Sequence, residues 1–112
     1  MPRFRVSQRA KEDLRQIGLY TQREWGKIQR RKYLSGLDNK FSFLADSPLI
    51  TPERQEFFPV VRIHQHESHL IIYVIDDLGI TILRVLHQSA DIDRHLCRPP
   101  KGNPFDREKG HS

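Results

Sequence analysis

Apolar positions in the first half of the chain recur at helical spacing, and in the second half they alternate or run together. Ala10, Leu14, Ile17 and Thr21, with Tyr20 beside them, predict a helix from Gln8 to about Trp25. Ser7 suits its N-cap, because a serine hydroxyl can accept an orphan N–H of the first turn. Phe4, Arg5 and Val6 form a short strand candidate ahead of it. Gly26 closes the helix or hinges it to a second one, about Lys27 to Asp46. Tyr33, Leu34, Leu37, Phe41 and Leu44 make one apolar stripe there, opposite a charged side. Pro48 stops it, since proline cannot continue a helix and disfavours helical geometry at Ser47. The link at Gly26 is minimal, so an antiparallel helical hairpin is expected.

Beyond the "DSPLITP" loop the period changes. "FFPVVRIH" reads as a strand with Pro59 near its start, and "HLIIYVID" and "ITILRVLH" are rich in β-branched residues. Asp76-Asp77-Leu78-Gly79 is turn chemistry that makes the last two runs a hairpin, and "QHES" turns the preceding pair. Residues 91–96 add a helical turn. The order β, α, α, β, β, β defines an α+β domain: a helical hairpin packed on one face of a mostly antiparallel, four-stranded sheet. The first strand is expected in the middle of that sheet or beside the last strand. The domain covers residues 1–97. Residues 98–112, with their prolines, glycines and charge, read as a flexible tail.

Composition narrows the class. A length of 112 residues is one domain's worth, and 37% hydrophobic residues suffice for one modest core. No apolar run approaches a membrane span of about 20 residues, and the N-terminal stretch lacks the apolar run of a signal peptide. Cys97 is the lone cysteine, so no intrachain disulfide forms and a reducing cytoplasm is the expected setting. Net charge is +5, all of it from the first third: residues 1–37 hold ten Lys/Arg against three acids, and the rest is net −2. Such a block can draw in nucleic acid or an acidic protein, or remain a solvated helix face.

Candidate chemistry concentrates at the end of the last strand. If that strand stays regular, Ile80, Ile82, Arg84 and Leu86 share one face, and Thr81, Leu83, Val85 and His87 the other. Leu83 and Val85 suit the helix-packed face, and the sheet is apolar on both sides. Arg84 then points away from His87, unless a bulge intervenes. Asp91 either caps a helical turn or pairs with His95, which makes "ILRVLHQSADIDRHL" a capped exit from the sheet; the competing reading gives His87 and Asp91 acid–base work. His64, His66 and His69 lie close enough in sequence to invite zinc, but they flank a turn without Cys or HExxH partners. Exposed hairpin-tip histidines are expected instead, with no metal and no cofactor. "KIQRRK", Lys27 to Lys32, carries no interleaved aromatics of the kind a single-strand platform needs.

Taken together, these pieces resemble a ParE-type toxin of the RelE/ParE superfamily. The residues that carry the resemblance are Asp13-Leu14-x-x-Ile17 before Tyr20-Thr21, the joint Trp25-Gly26-x-x-Gln29, Tyr33-Leu34 with Phe41 and Leu44-Ala45, and Arg84-Val85-Leu86-His87 followed by Asp91. It spans about residues 4–96 and implies the βααβββ fold and a type II toxin–antitoxin system. It further implies a toxin that stabilises the cleaved complex of DNA gyrase with DNA, and a co-expressed ParD-like antitoxin that neutralises it. DNA is then met only indirectly, through gyrase or the antitoxin, and no membrane is involved.

The sister RelE-type toxins are ribosome-dependent messenger RNA endoribonucleases with a cluster of lysines and arginines. Matching their strands places those positions near Val60, Arg62, His69 and Ser89. Only Arg62 keeps the needed character, and residues 58–90 hold no lysine. The nuclease cluster is dismantled, which favours a gyrase poison without enzymatic activity. In the alternative nuclease reading, His69 or His87 handles protons and Arg62 or Arg84 clamps phosphate. A scaffold that keeps only antitoxin binding is a third reading. The sequence departs from the resemblance at Ser89-Ala90, where many ParE-like chains carry Arg-Met. Expected target contacts are Arg62, Arg84, His87 and Asp91. Expected antitoxin contacts, for an acidic amphipathic peptide on the helical hairpin, are Tyr20, Trp25, Arg30, Arg31, Lys32, Tyr33 and Leu37.

Overall fold

The computed structural model describes residues 3–96. Cys97 and the tail predicted over 98–112 lie outside the described residues. The elements are β1 (Phe4–Val6), α1 (Gln8–Trp25), α2 (Lys27–Asp46), a 3-10 turn at Pro48–Ile50, β2 (Glu53–Arg54), β3 (Val61–His66), β4 (His69–Asp76), β5 (Gly79–His87) and α3 (Ile92–His95). The α+β class and both long helices are as the periodicity predicts. Where the sequence reading counts four strands, the sheet has five, in the order β1-β5-β4-β3-β2. The extra strand is two residues long and too charged to alternate. Glu53 pairs with Arg62 and Arg54 with Val61. β1 runs parallel to β5, and all other pairs are antiparallel.

Two glycines permit this arrangement. Gly26 alone links the helices, at φ 95°, where residues with a Cβ are strained. Its N–H bonds the Gln22 carbonyl (2.8 Å), and its own carbonyl accepts from Arg30 (3.0 Å). Gly79, at φ 143°, follows the two-residue turn of the β4–β5 hairpin. A Cβ there would collide with the Arg3 carbonyl, so glycine is what lets β1 lie against β5.

The sheet is apolar on both faces. On the helix side, Ala10, Ile17, Leu37, Phe41 and Leu44 pack on Ile71, Tyr73, Ile80, Ile82 and Val85. On the far side, Phe57, Val61, Ile72 and Leu86 form a second core, joined by Leu83, Ala90, Ile92 and Leu96. Leu83 therefore sits opposite the face expected for it. The reason is a bulge: Tyr73 pairs with Ile82 and Ile72 with Arg84, which leaves Leu83 as the extra residue of β5. Past it, the alternation is offset by one, and Val85 returns to the helix side. The third strand also begins later than "FFPVVRIH" suggests, at Val61. Pro59 has no N–H to give a ladder, and Phe57 turns into the far-side core instead.

Candidate functional site

β1 covers β5 only as far as Ile82. The polar groups along the rest of the β5 edge need other partners, and α1 supplies them. The Ser7 N–H donates to the Ile82 carbonyl (2.9 Å), and its hydroxyl donates to Leu83 (2.9 Å) while accepting the Ala10 N–H (3.0 Å). Ser7 is the predicted N-cap and also ties the bulge to the helix. One turn on, Asp13 accepts the Val85 N–H (2.9 Å) and two bonds from the Arg84 guanidinium (2.8 and 2.9 Å). The Arg84 and Asp13 side chains are 11% and 13% exposed, so the pair is largely desolvated. The bond from Asp13 holds the guanidinium above its ordinary pKa, against its own burial.

The bulged end of β5 and the joined end of the helical hairpin enclose a groove of about 1050 Å³. Ile17 and Val85 are buried at its base, and Tyr20, Trp25 and Tyr33 line it from the helices. Trp25 stands 72% exposed at the helix joint. Asp13, Arg84, His69, His87 and His95 complete the lining.

His69 is the most perturbed imidazole. Its Nδ1 lies 2.6 Å from the Tyr33 hydroxyl, and its ring meets His87 edge to face at 5.5 Å. Burial first, then the neighbouring His87 and His66, push its pKa down to about 4. Burial likewise raises Tyr33. At neutral pH the tyrosine therefore keeps its proton and the imidazole is neutral, and the two share one hydrogen bond through Nδ1. The Nδ1 atom of His87 accepts the Ser89 N–H (3.1 Å), which fixes that ring to the turn after β5. His95 Nδ1 accepts from Arg84 at 3.3 Å, so of the two roles expected for Asp91 the pairing with His95 is not the one made.

The structure sorts the expected site residues. The groove unites Tyr20, Trp25 and Tyr33, expected for the antitoxin, with Arg84 and His87, expected for the target, and with His69 of the nuclease reading. The bulge lies ahead of Arg84 and the register from Arg84 to His87 is regular, so Arg84 joins the groove through its bonds to Asp13 and not through the bulge. Arg62 lies elsewhere, on β3, donating to the Thr51 carbonyl and facing Glu53 at 3.7 Å. Asp91 caps α3 through the Asp93 N–H (3.1 Å). Leu37 is fully buried in the core, which removes it as a surface anchor. Arg30 reaches back to Gln22 on α1 (2.7 Å), and Arg31 and Lys32 are exposed away from the groove.

His64 and His66 are not exposed hairpin-tip residues. They pack under α2, with ring centroids 6.3 Å from Phe43 and 5.9 Å from Tyr33, and burial lowers both pKa values. Among the described residues no group of three His, Cys, Asp or Glu side chains is placed to hold a metal. No described helix is long and apolar enough to cross a membrane. The residue missed from the sequence is Asp13. It was legible only as one letter of the Asp13-Leu14-x-x-Ile17 pattern, because nothing local says that it reaches a strand 71 positions away.

The family model described as the ParE toxin of the type II toxin–antitoxin system parDE matches residues 4–92. The chain belongs to the ParE toxin family. Toxin ParE of Escherichia coli is 30% identical over 104 residues, 91% of this chain and all of that one. Toxin ParE1 of Caulobacter vibrioides is 31% identical, covering 86% of this chain and 99% of its own. Toxin ParE1 of Mycobacterium tuberculosis is 34% identical, covering 84% and 97%. A solved structure titled chromosomal ParDE TA system from P. aeruginosa shares the fold, with a TM-score of 0.58 at 18% identity over 78% of this chain and 96% of that chain. The protein is thus a ParE toxin of a type II toxin–antitoxin system, and every residue lining the groove except His95 lies in the part of the chain that the family model covers.

Proposed function

We propose that this ParE toxin acts by binding, not by bond cleavage: it stabilises the cleaved complex of DNA gyrase with DNA, and a ParD-like antitoxin silences it. The observation that carries this reading is the chemistry of the groove. Arg84 is the one lysine or arginine among the described residues that line it, and Asp13 neutralises that charge with two hydrogen bonds. His69 is held neutral at physiological pH by its burial. A site that cleaves a phosphodiester needs uncommitted cations aimed at the developing charge. This groove instead offers an apolar floor and an aromatic rim, the composition of a protein-docking surface.

A poison of this kind needs only differential affinity. It must bind the cleaved state of its target better than the religated one. The groove holds residues expected for both the antitoxin and the target, so neutralisation follows from occlusion: an antitoxin segment seated against Tyr20, Trp25 and Tyr33 covers Arg84 and His87 as well. The relatives named Toxin ParE and the ParDE assembly of the P. aeruginosa structure support an antitoxin partner for this chain too. The cytoplasm, where gyrase and its DNA reside, is the compartment this reading requires.

The nuclease reading draws on the contact between His69 and His87 and keeps a defined test. Purified protein is added in parallel to gyrase with supercoiled plasmid and to a translation extract. Linear, protein-linked plasmid with intact messages is expected. Cut messages that His87→Ala abolishes would replace the gyrase reading with ribosome-dependent endoribonuclease activity.

A further inference from the structure

We propose that the outer face of α2, turned away from the groove, is a second binding surface, and that it takes the phosphate backbone of duplex DNA directly. This goes beyond the gyrase reading and does not depend on it.

The first observation is charge. Lys27, Arg31 and Lys32 are exposed within the first two turns of α2, and none of them forms an ion pair with another described residue. Between Glu24 and Asp38 the chain carries no acid at all. Glu24 is already engaged with Arg23. The first turn of α2 lacks an acidic residue, so these cations stand at the helix end where the backbone dipole is itself positive. That arrangement weakens the helix rather than supporting it. Charges placed for helix stability would have the opposite sign.

The second observation is what lies between the cations. Two shallow depressions run along this face and share Arg31 and Ser35. One adds Lys27 and the other adds Lys32, Gly36 and Asn39. Arginine, lysine, serine and asparagine are the side chains that bond phosphate oxygens, and small residues let a backbone approach closely. An amphipathic acidic helix would need apolar anchors at i, i+3, i+4 and i+7. Across the two depressions this face offers only the exposed Ile28 and the half-buried Leu34. An acidic protein partner therefore fits less well than a polyanion read through its backbone. No base-reading element is present on this face, so binding is expected to be independent of sequence.

The test uses the full chain and a short labelled duplex of mixed sequence, with fluorescence anisotropy read across a salt series. Binding at low salt is expected, with log K falling against log salt at a slope of about −3, for roughly three phosphates neutralised. The variant Lys27→Gln/Arg31→Gln/Lys32→Gln is expected to lose the slope and about tenfold or more in affinity, with unchanged thermal melting. A charge-matched variant, Arg3→Gln/Arg9→Gln/Lys11→Gln, is expected to retain both. No duplex binding at low salt would overturn the proposal. So would equal losses in the two variants, which would trace binding to net charge alone. Displacement of DNA by an acidic peptide at matched charge concentration would overturn it in favour of a protein partner.

Discussion

Asp13 on α1 and Arg84 on β5 are joined by two hydrogen bonds, and the same carboxylate holds the Val85 N–H. Together with Ser7, this one side chain closes the strand edge that β1 leaves open, and it alone cancels the groove's only lysine or arginine charge among the described residues.

Removing half of this pair should be costly. Asp13→Ala leaves a largely desolvated guanidinium and the Val85 N–H without their acceptor, a loss of about 2–4 kcal/mol in urea unfolding. The double variant Asp13→Leu/Arg84→Met should lose clearly less than Asp13→Ala. Equal losses would mean that the pair itself, rather than the orphaned charge, supplies the stability.

The neutral state of His69 makes stability depend on pH. Its folded pKa, about 4, lies below the ordinary histidine value of 6.5. Between those values the unfolded chain binds a proton that the folded one refuses, so stability falls as pH drops through this window and is unaffected by His69 above it. The contribution lost by pH 4 is about 1–3 kcal/mol. His64 and His66 add in the same direction. Urea midpoints measured from pH 7 to pH 4 should decline less steeply in His69→Phe than in the wild type.

Gly79→Ala places a Cβ against the Arg3 carbonyl at a backbone angle that suits glycine. A loss of about 1–3 kcal/mol is expected, with β1 loosened first. Amide exchange should accelerate at Phe4 to Val6 more than at Ile71 to Tyr73. Uniform acceleration would show that β1 does not open on its own.

Trp25 separates folding from binding. It is exposed at the groove rim and absent from either core, so Trp25→Ala should change stability by only about 0.5 kcal/mol or less. Antitoxin affinity, measured by calorimetry, should fall by about 2 kcal/mol or more if the rim is a contact. Unchanged affinity would move the antitoxin off this groove.

Much of the fold was legible because its signals are local. Helical spacing, the Ser7 cap, Gly26 and Pro48 set both helices to the residue, and Gly79 marked the hairpin. What escaped depends on distant partners. The Leu83 bulge needs the register with Ile72 and Tyr73, and β2 exists only because Val61 and Arg62 lie beside it. The site was half legible for the same reason. Trp25, Tyr20, Arg84 and His87 announced themselves by residue type and position. Leu37 and His64 were misjudged, and Arg62 lies outside the groove, because burial and pairing come from neighbours remote in sequence. Asp13 is the clearest case, an ordinary helical acid until the fold brings Arg84 to it.

The central claim is that the groove docks a protein and performs no chemistry. Its most direct test is a cleavage assay with purified gyrase, supercoiled plasmid and the full chain, set beside the Trp25→Ala and His87→Ala variants and resolved after detergent and protease treatment. The account predicts linear plasmid with the wild type and a marked loss with His87→Ala, the variant at the expected target contact, with a smaller loss in Trp25→Ala. Plasmid left supercoiled by the wild type, at concentrations where it still arrests growth, would contradict it.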